Sequence, residues 1–256
     1  MSIDEIDHTS QIGILNSQNS GEISAHISSG GARNAGGLIG RVMAPNYEAS
    51  DPLQFEPHKL HITNSHNFAN IQRSTYSGGL IGDIIKANFG QNIDSLEVHI
   101  KQSSNIGLEM TDNKLEETSN AGGILGSLKY GKIFIEDSFS KSKISAVQRQ
   151  GGMIGHIEGA VDGMHIKNSY SASEFVNSLT SQGGLIPTNS INISGNYTVE
   201  NSYWDKSLSR TEDSYQDKGE GRTTAEMLNP NNFSSWDFIS IWDQTSGSYP
   251  SLKLSP

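Results

Sequence analysis

With no cysteine among its 256 residues, this chain has eight histidines, 28 acidic side chains, 18 basic ones and its hydroxyls for any chemistry. Disulfides, thiolate metal sites and cysteine nucleophiles are therefore excluded. Three histidines, His61, His99 and His165, occupy one recurring slot between two aliphatic residues, with Phe134 in that slot between the last two. Stacked imidazoles in such a slot form a solvent-facing ladder, and a weak transition-metal or pH-sensitive patch is the sharper reading. The remaining five, His8, His26, His58, His66 and His156, form no metal-binding or Ser/His/Asp spacing, and no Gly-x-Ser-x-Gly elbow is present. Gly126-Ser127-Leu128-Lys129-Tyr130-Gly131-Lys132-Ile133 matches a phosphate loop up to its lysine. Ile133 then stands where a hydroxyl must bind magnesium, and the segment runs into a strand rather than a helix N-terminus. Carboxylates gather in two inserts, Met43–Pro57 with Glu48, Asp51 and Glu56, and Met110–Asn120 with Asp112, Glu116 and Glu117; Asp94 and Glu97 lie between them. Loops of that kind are read as solvated charge and as the best places for partner contact, at Tyr47, Glu48, Asp51, Asp112, Glu116 and Glu117.

The elements that hold these groups are repeats. Gly36-Gly37-Leu38-Ile39-Gly40 recurs as Gly78–Gly82, Gly122–Gly126 and Gly151–Gly155, and a fifth copy, Gly183-Gly184-Leu185-Ile186-Pro187, has lost its last glycine. Before each glycine pair come two aliphatics spaced by two, then an amide or acid and Ser. The series runs Ile12-x-Ile14-x-Asn16-Ser17, Leu60-x-Ile62-x-Asn64-Ser65, Val98-x-Ile100-x-Gln102-Ser103, Ile133-x-Ile135-x-Asp137-Ser138 and Met164-x-Ile166-x-Asn168-Ser169. A sixth, degenerate unit is placed at Ile191-x-Ile193-x-Gly195-Asn196. Starts at 12, 60, 98, 133, 164 and 191 are separated by 48, 38, 35, 31 and 27 residues, which is one unit with loops of varying length. Each unit offers strands too short to bury a face alone. Stacking unit on unit at about 4.8 Å lets every inward aliphatic rest on its counterpart.

The expected fold is all-β: a parallel β-helix, or β-solenoid, of about six coils. Glycine suits its corners, and Asn or Asp suits turns that need left-handed backbone. A globular β-sandwich is the rival and leaves the repeated Gly-Gly pattern unexplained. Because neighbours in a stack come from distant sequence, spacing neither signals nor excludes a catalytic triad.

Composition agrees with a thin, repetitive core. Only 34% of residues are apolar, mean hydropathy is −0.47, and the chain holds 38 Ser, 21 Asn and 27 Gly. A net charge of −10 without a basic tract argues against nucleic acid and anionic membranes, and no apolar run is long enough to cross a bilayer. Three N-glycosylation sequons, at Asn192, Asn196 and Asn232, are taken as chance in so Asn- and Ser-rich a chain.

The Gly-Gly-Leu-Ile-Gly copies resemble the GLUG motif of large bacterial surface and secreted proteins, such as filamentous-haemagglutinin-like adhesins and the non-catalytic region of some immunoglobulin A proteases. The tail, from Asn201-Ser202-Tyr203-Trp204-Asp205 through Gly221–Met227, Phe233, Trp236-Asp237-Phe238, Trp242 and Tyr249-Pro250-Ser251-Leu252, resembles the segment that closes such arrays. That resemblance implies a rod-like, right-handed β-helix in a longer exported adhesin-type protein, at a cell surface or outside the cell. Its partner is then a protein or glycan on a cell surface, with no membrane insertion, no catalytic residue, no cofactor and no metal.

On this reading residues 1–203 are the repeat array and 204–256 a closing segment. All three Trp fall in that segment, and an aromatic cap over the open core is expected, with a glycan-stacking platform as the alternative. Thr223-x-x-Glu226 followed by Pro230 predicts one short helix over 224–229, preceded by a surface excursion at Ser207–Glu220. A carbohydrate-active enzyme on the same scaffold and a secreted effector or toxin-associated scaffold are the alternative functions.

Overall fold

A computed structural model of the chain describes residues 11–24, 34–44, 58–86, 96–107, 109–112, 119–189, 196–213 and 219–253. The described chain is nearly all β, and every strand pairing before Trp242 is parallel. Ile12, Leu60, Val98, Ile133, Met164 and Tyr197 form one column of adjacent strands, and Ile14, Ile62, Ile100, Ile135, Ile166 and Val199 form the next inward one. The repeat thus maps onto strand register, like residue beside like.

One unit is misplaced by the sequence reading. The sixth is Tyr197-x-Val199-x-Asn201-Ser202 on strand Asn196–Glu200, six residues after the expected Ile191. Tyr197 fills the aliphatic slot, so a search restricted to aliphatics passes over it. Residues 191–195 lie outside the described residues.

The turn after each strand explains the amide or acid. Asn16, Asn64, Gln102, Asp137, Asn168 and Asn201 all have positive φ, between 46° and 49°, the left-handed region that Asn and Asp tolerate best. A serine follows each, and its hydroxyl accepts from the backbone N–H of the serine in the unit before: Ser17 to Ser65, then Ser103, Ser138, Ser169 and Ser202, each at 3.1–3.2 Å. The side-chain amides form a second, one-way ladder, Asn64 donating to Asn16, Asn168 to Asp137 and Asn201 to Asn168.

All five glycine pairs also stack in one column, at the ends of strands Asn34–Gly36, Tyr76–Gly78, Asn120–Gly122, Arg149–Gly151 and Gln182–Gly183. Close approach, not φ, requires the glycine. A Cβ on Gly79 would lie 2.0 Å from the Gly123 carbonyl oxygen and 2.4 Å from the Asn105 side chain. The two aliphatics that follow each pair enter the main core, where Leu80, Ile81, Ile124, Leu125, Met153, Ile154, Leu185 and Ile186 are all fully buried.

The closing segment does two jobs where one cap was expected. Trp204 alone plugs the last open end of the main core, its ring lying against Gly184 and Gly221, where a Cβ would be 2.1 and 2.8 Å away. Trp236 and Trp242 instead join Met227, Phe233 and Tyr249 against the flank of the sheet that runs through Phe139, Tyr170 and Tyr203. Tyr170 donates to the Pro250 carbonyl at 2.6 Å, and Arg222 sits 3.4 Å over the Tyr203 ring. The expected helix is present at Thr224–Met227 with its Thr223/Glu226 capping box complete. Two further short turns accompany it, Lys206–Ser209, capped by Asp205, and the 3-10 turn Pro230–Phe233. The excursion expected at Ser207–Glu220 therefore begins in a helical turn, because Asp205 Oδ1 accepts from the N–H groups of Ser207 and Leu208. Strand Tyr203–Asp205 runs across the expected division at 203/204.

Candidate functional site

Tyr47, Glu48, Asp51, Glu116 and Glu117 lie outside the described residues, as does most of each insert. Asp112 ends strand Glu109–Asp112, opposite Ser74 after a register shift; only its backbone is described. Asp94 is likewise outside the described residues, and Glu97 pairs with Lys132 at 3.6 Å. Lys132, the lysine of the phosphate-loop match, is thus held on an outer strand face, inside the continuous strand Leu125–Glu136.

The histidine slot forms the expected ladder. Ring centroids of His61 and His99, His99 and Phe134, and Phe134 and His165 are 4.9, 4.5 and 4.8 Å apart, all stacked. Gly13 lies beside His61 in the register, and Thr198 Oγ1 is 3.0 Å from His165 Nδ1 at the other end. Burial lowers the pKa of His99, opposed by its bond to Glu97. The rings spend their faces on one another and turn their edges to solvent, which is a poor platform for stacking a sugar. Among the described residues no group of three or more His, Asp or Glu side chains is arranged to hold a metal ion. The glycan-platform alternative also loses its tryptophans: Trp204, Trp236 and Trp242 are all buried.

The densest set of buried reactive groups is one the sequence reading missed. The residue after each Gly-Gly-x-x-Gly varies, and register places these residues in one column, Arg41 beside Asp83, Asp83 beside Ser127 and Ser127 one strand from His156. Asp83, Ser127 and His156 are buried, and neither Asp83 oxygen, nor Ser127 Oγ, nor either His156 ring nitrogen makes a hydrogen bond of full geometry. Arg41 Nη2 stands 3.4 Å from Asp83 Oδ2, and Glu158 Oε2 stands 3.8 Å from His156 Nδ1. Burial raises the Asp83 carboxyl pKa against the pull of Lys129 and Arg41. Burial, with help from the Arg149 and Lys129 charges, lowers His156 to about 4, so its imidazole is neutral at pH 7. The signal was available: reading down the position after each glycine motif spells Arg, Asp, Ser, His. As chemistry the order is unproductive, because the serine lies between acid and base, whereas a hydrolytic triad places the histidine between them.

A second constellation has the productive order. His66 Nδ1 is 2.8 Å from Ser104 Oγ on the next unit, and its Nε2 is 3.3 Å from Asn64 Oδ1. Such a relay can orient an imidazole to accept a serine proton. Burial lowers the His66 pKa, which keeps the ring in the neutral form a base needs. Against this, Ser104 is almost fully buried, and its own N–H is spent on the Ser65 carbonyl, as that of Ile106 is on Asn67. Those donors are unavailable for an oxyanion.

No family model matches the chain, and no curated protein matches it. Among the described residues no helix is long and apolar enough to cross a membrane. A solved structure described as a putative immunoglobulin A1 protease from Bacteroides ovatus matches it with a TM-score of 0.53 and 16% identity, over 93% of this chain and 75% of that one. At this identity the similarity is one of fold.

Proposed function

We propose that the chain is a non-enzymatic β-solenoid scaffold: a right-handed parallel β-helix of about six GLUG-type coils in residues 1–203, closed by 204–256. Its proposed setting is a bacterial surface or secreted adhesin-like protein that displays loops to a protein or glycan on a cell surface. The observation that carries this reading is the like-with-like register of aliphatic, amide and serine columns, which spends the inward and turn side chains on holding the rod together. Rigid ladders leave the inserts as the parts free to vary, which favours Tyr47, Glu48, Asp51, Asp112, Glu116 and Glu117 as partner contacts. A glycan and cell-surface-protein binding screen of the chain, repeated with 45–57 and 112–118 replaced by short Gly/Ser links, tests it. Binding that vanishes with the inserts supports display; binding that survives both replacements overturns it.

The enzyme reading has one observation in its favour, the Ser104–His66–Asn64 relay. A fluorophosphonate probe discriminates the two. Labelling of Ser104 that disappears in His66→Gln would make the chain a hydrolase, and an unlabelled chain leaves the scaffold.

A further inference from the structure

Lys141 lacks the carboxylate that neutralises other lysines of the chain. Lys101, Lys132, Lys143 and Lys206 face Glu136, Glu97, Glu174 and Glu212 at 3.0 to 3.7 Å. Lys141 is half-buried, and its Nζ stands instead 5.7 Å from the centre of the Phe139 ring and 5.6 Å from that of Tyr249. At that range, close to the limit of about 6 Å for a cation–π contact, the rings attract the charge weakly. Burial lowers the Lys141 pKa, and no carboxylate opposes it. Asp205, two strands along the same face, is spent: it accepts from the Tyr249 hydroxyl at 2.6 Å and from the N–H groups of Ser207 and Leu208.

The register sets this amine at the end of an apolar track. Phe68, Ile106, Lys141 and Ala172 form one column, each following the paired strands His66–Asn67, Ser104–Asn105, Phe139–Ser140 and Tyr170–Ser171. Their N–H groups donate to the carbonyls of Asn19, Asn67, Asn105 and Ser140 in turn. Ile106 packs against the aromatic cluster that includes Phe139 and Tyr249, while Phe68 is 42% exposed with its ring beside that of His66. Phe68 is two strands from Lys141, or about 10 Å at the usual spacing, which is the reach of a medium-length alkyl chain. The track runs along the flank of the second to fourth units, away from both ends of the stack.

We propose that Lys141 captures a long-chain aldehyde as an imine, with the alkyl tail lying over Ile106 and Phe68. The lone pair of the neutral amine forms the C–N bond while the carbonyl π pair moves to oxygen, and both N–H protons then leave with that oxygen as one water molecule. No oxidant or reductant enters, and capture is stoichiometric, so it goes beyond the display of loops without making the chain an enzyme. A neutral imine also suits a half-buried position better than an ammonium that no carboxylate compensates. Acyl transfer fits less well: the N–H groups of the column are spent on the preceding strands, which leaves no donors for a tetrahedral oxyanion.

The test incubates the full chain with nonanal and sodium cyanoborohydride, which reduces the imine to a stable secondary amine, and locates the modified lysines by peptide mass spectrometry. Lys141 should take up the nonyl group about tenfold faster than the ion-paired Lys143 two residues away, because the neutral amine is the nucleophile. Phe68→Ser, at an exposed position, should slow nonanal uptake at Lys141 severalfold and leave acetaldehyde uptake unchanged, since only the long chain reaches that ring. Lys141→Arg should remove the fast uptake while strands 58–63, 96–101 and 132–136 keep their amide protection. Equal labelling of Lys141 and Lys143 overturns the proposal. So does a preference for Lys141 that is the same with nonanal and acetaldehyde and indifferent to Phe68→Ser, which would leave a reactive amine and no alkyl site.

Discussion

Gln102 is the one member of the left-handed column that is neither Asn nor Asp, and it holds φ at 49°. The longer side chain cannot make the short bond to its own backbone that stabilises this region for Asn. Gln102→Asn is expected to raise stability by about 0.5–1 kcal/mol, seen as a higher urea midpoint with an unchanged slope. The buried column gives a pH prediction of opposite character. His156 has its pKa lowered in the fold to about 4 from 6.5, so between those values the unfolded chain binds the extra proton. Stability from this group is complete above pH 6.5 and is lost as pH falls toward 4, by an amount on the order of 3 kcal/mol. Asp83 works the other way: its raised pKa makes the native state the better proton binder, so acid relieves a cost there. Equilibrium unfolding of His156→Gln should therefore show a flatter decline between pH 6.5 and 4 than the parent. An unchanged acid limb would mean the imidazole reaches water.

At the scale of strands and corners, most of the architecture is legible because the repeat is a direct image of the register. Ile62 beside Ile100 in space is Ile62 aligned with Ile100 in sequence. The same logic fails wherever a slot changes residue class. Tyr197 hid the sixth unit, and the Arg41–Asp83–Ser127–His156 column escaped notice because its members share a position and no chemistry. The Thr223/Glu226 helix was readable since a capping box is a local signal, whereas the flank packing of Trp242 against Phe139 joins residues about a hundred positions apart with no periodicity to reveal it. Glycine chemistry offers the sharpest element-level contrast. Gly79→Ala places a methyl 2.0 Å from a backbone oxygen and 2.4 Å from Asn105, so the corner must open, at an expected cost of about 2–4 kcal/mol. Gly13→Ala meets nothing nearer than 3.9 Å and should leave thermal unfolding within about 0.5 kcal/mol of the parent. Similar losses in both would mean that strand propensity, not coil spacing, governs these glycines.

For the molecule as a whole, the division of the aromatic residues sets how the parts are coupled. Trp204 belongs to the same core as Leu185 and Ile186, while Trp242 belongs to the separate cluster on the sheet flank. In a stacked array each unit touches chiefly its neighbours, so damage spreads from unit to unit through the shared core and the strand ladders. Both indoles are buried, and replacing either by Ala removes enough contact to cost about 3–5 kcal/mol locally. Trp242→Ala should detach the closing segment while sparing the parallel sheets: amides in 220–253 lose protection, and strands 58–63, 96–101 and 132–136 keep theirs. Trp204→Ala should unzip from the closed end instead, exposing Leu185 and Ile186 first and then the units before them in order. Amide exchange resolved by peptide distinguishes the two patterns. Equal loss of protection across all strands in both variants would show that flank and core unfold as one cooperative unit, and that the aromatic cluster is as much a part of the stacked sheets as their aliphatic columns.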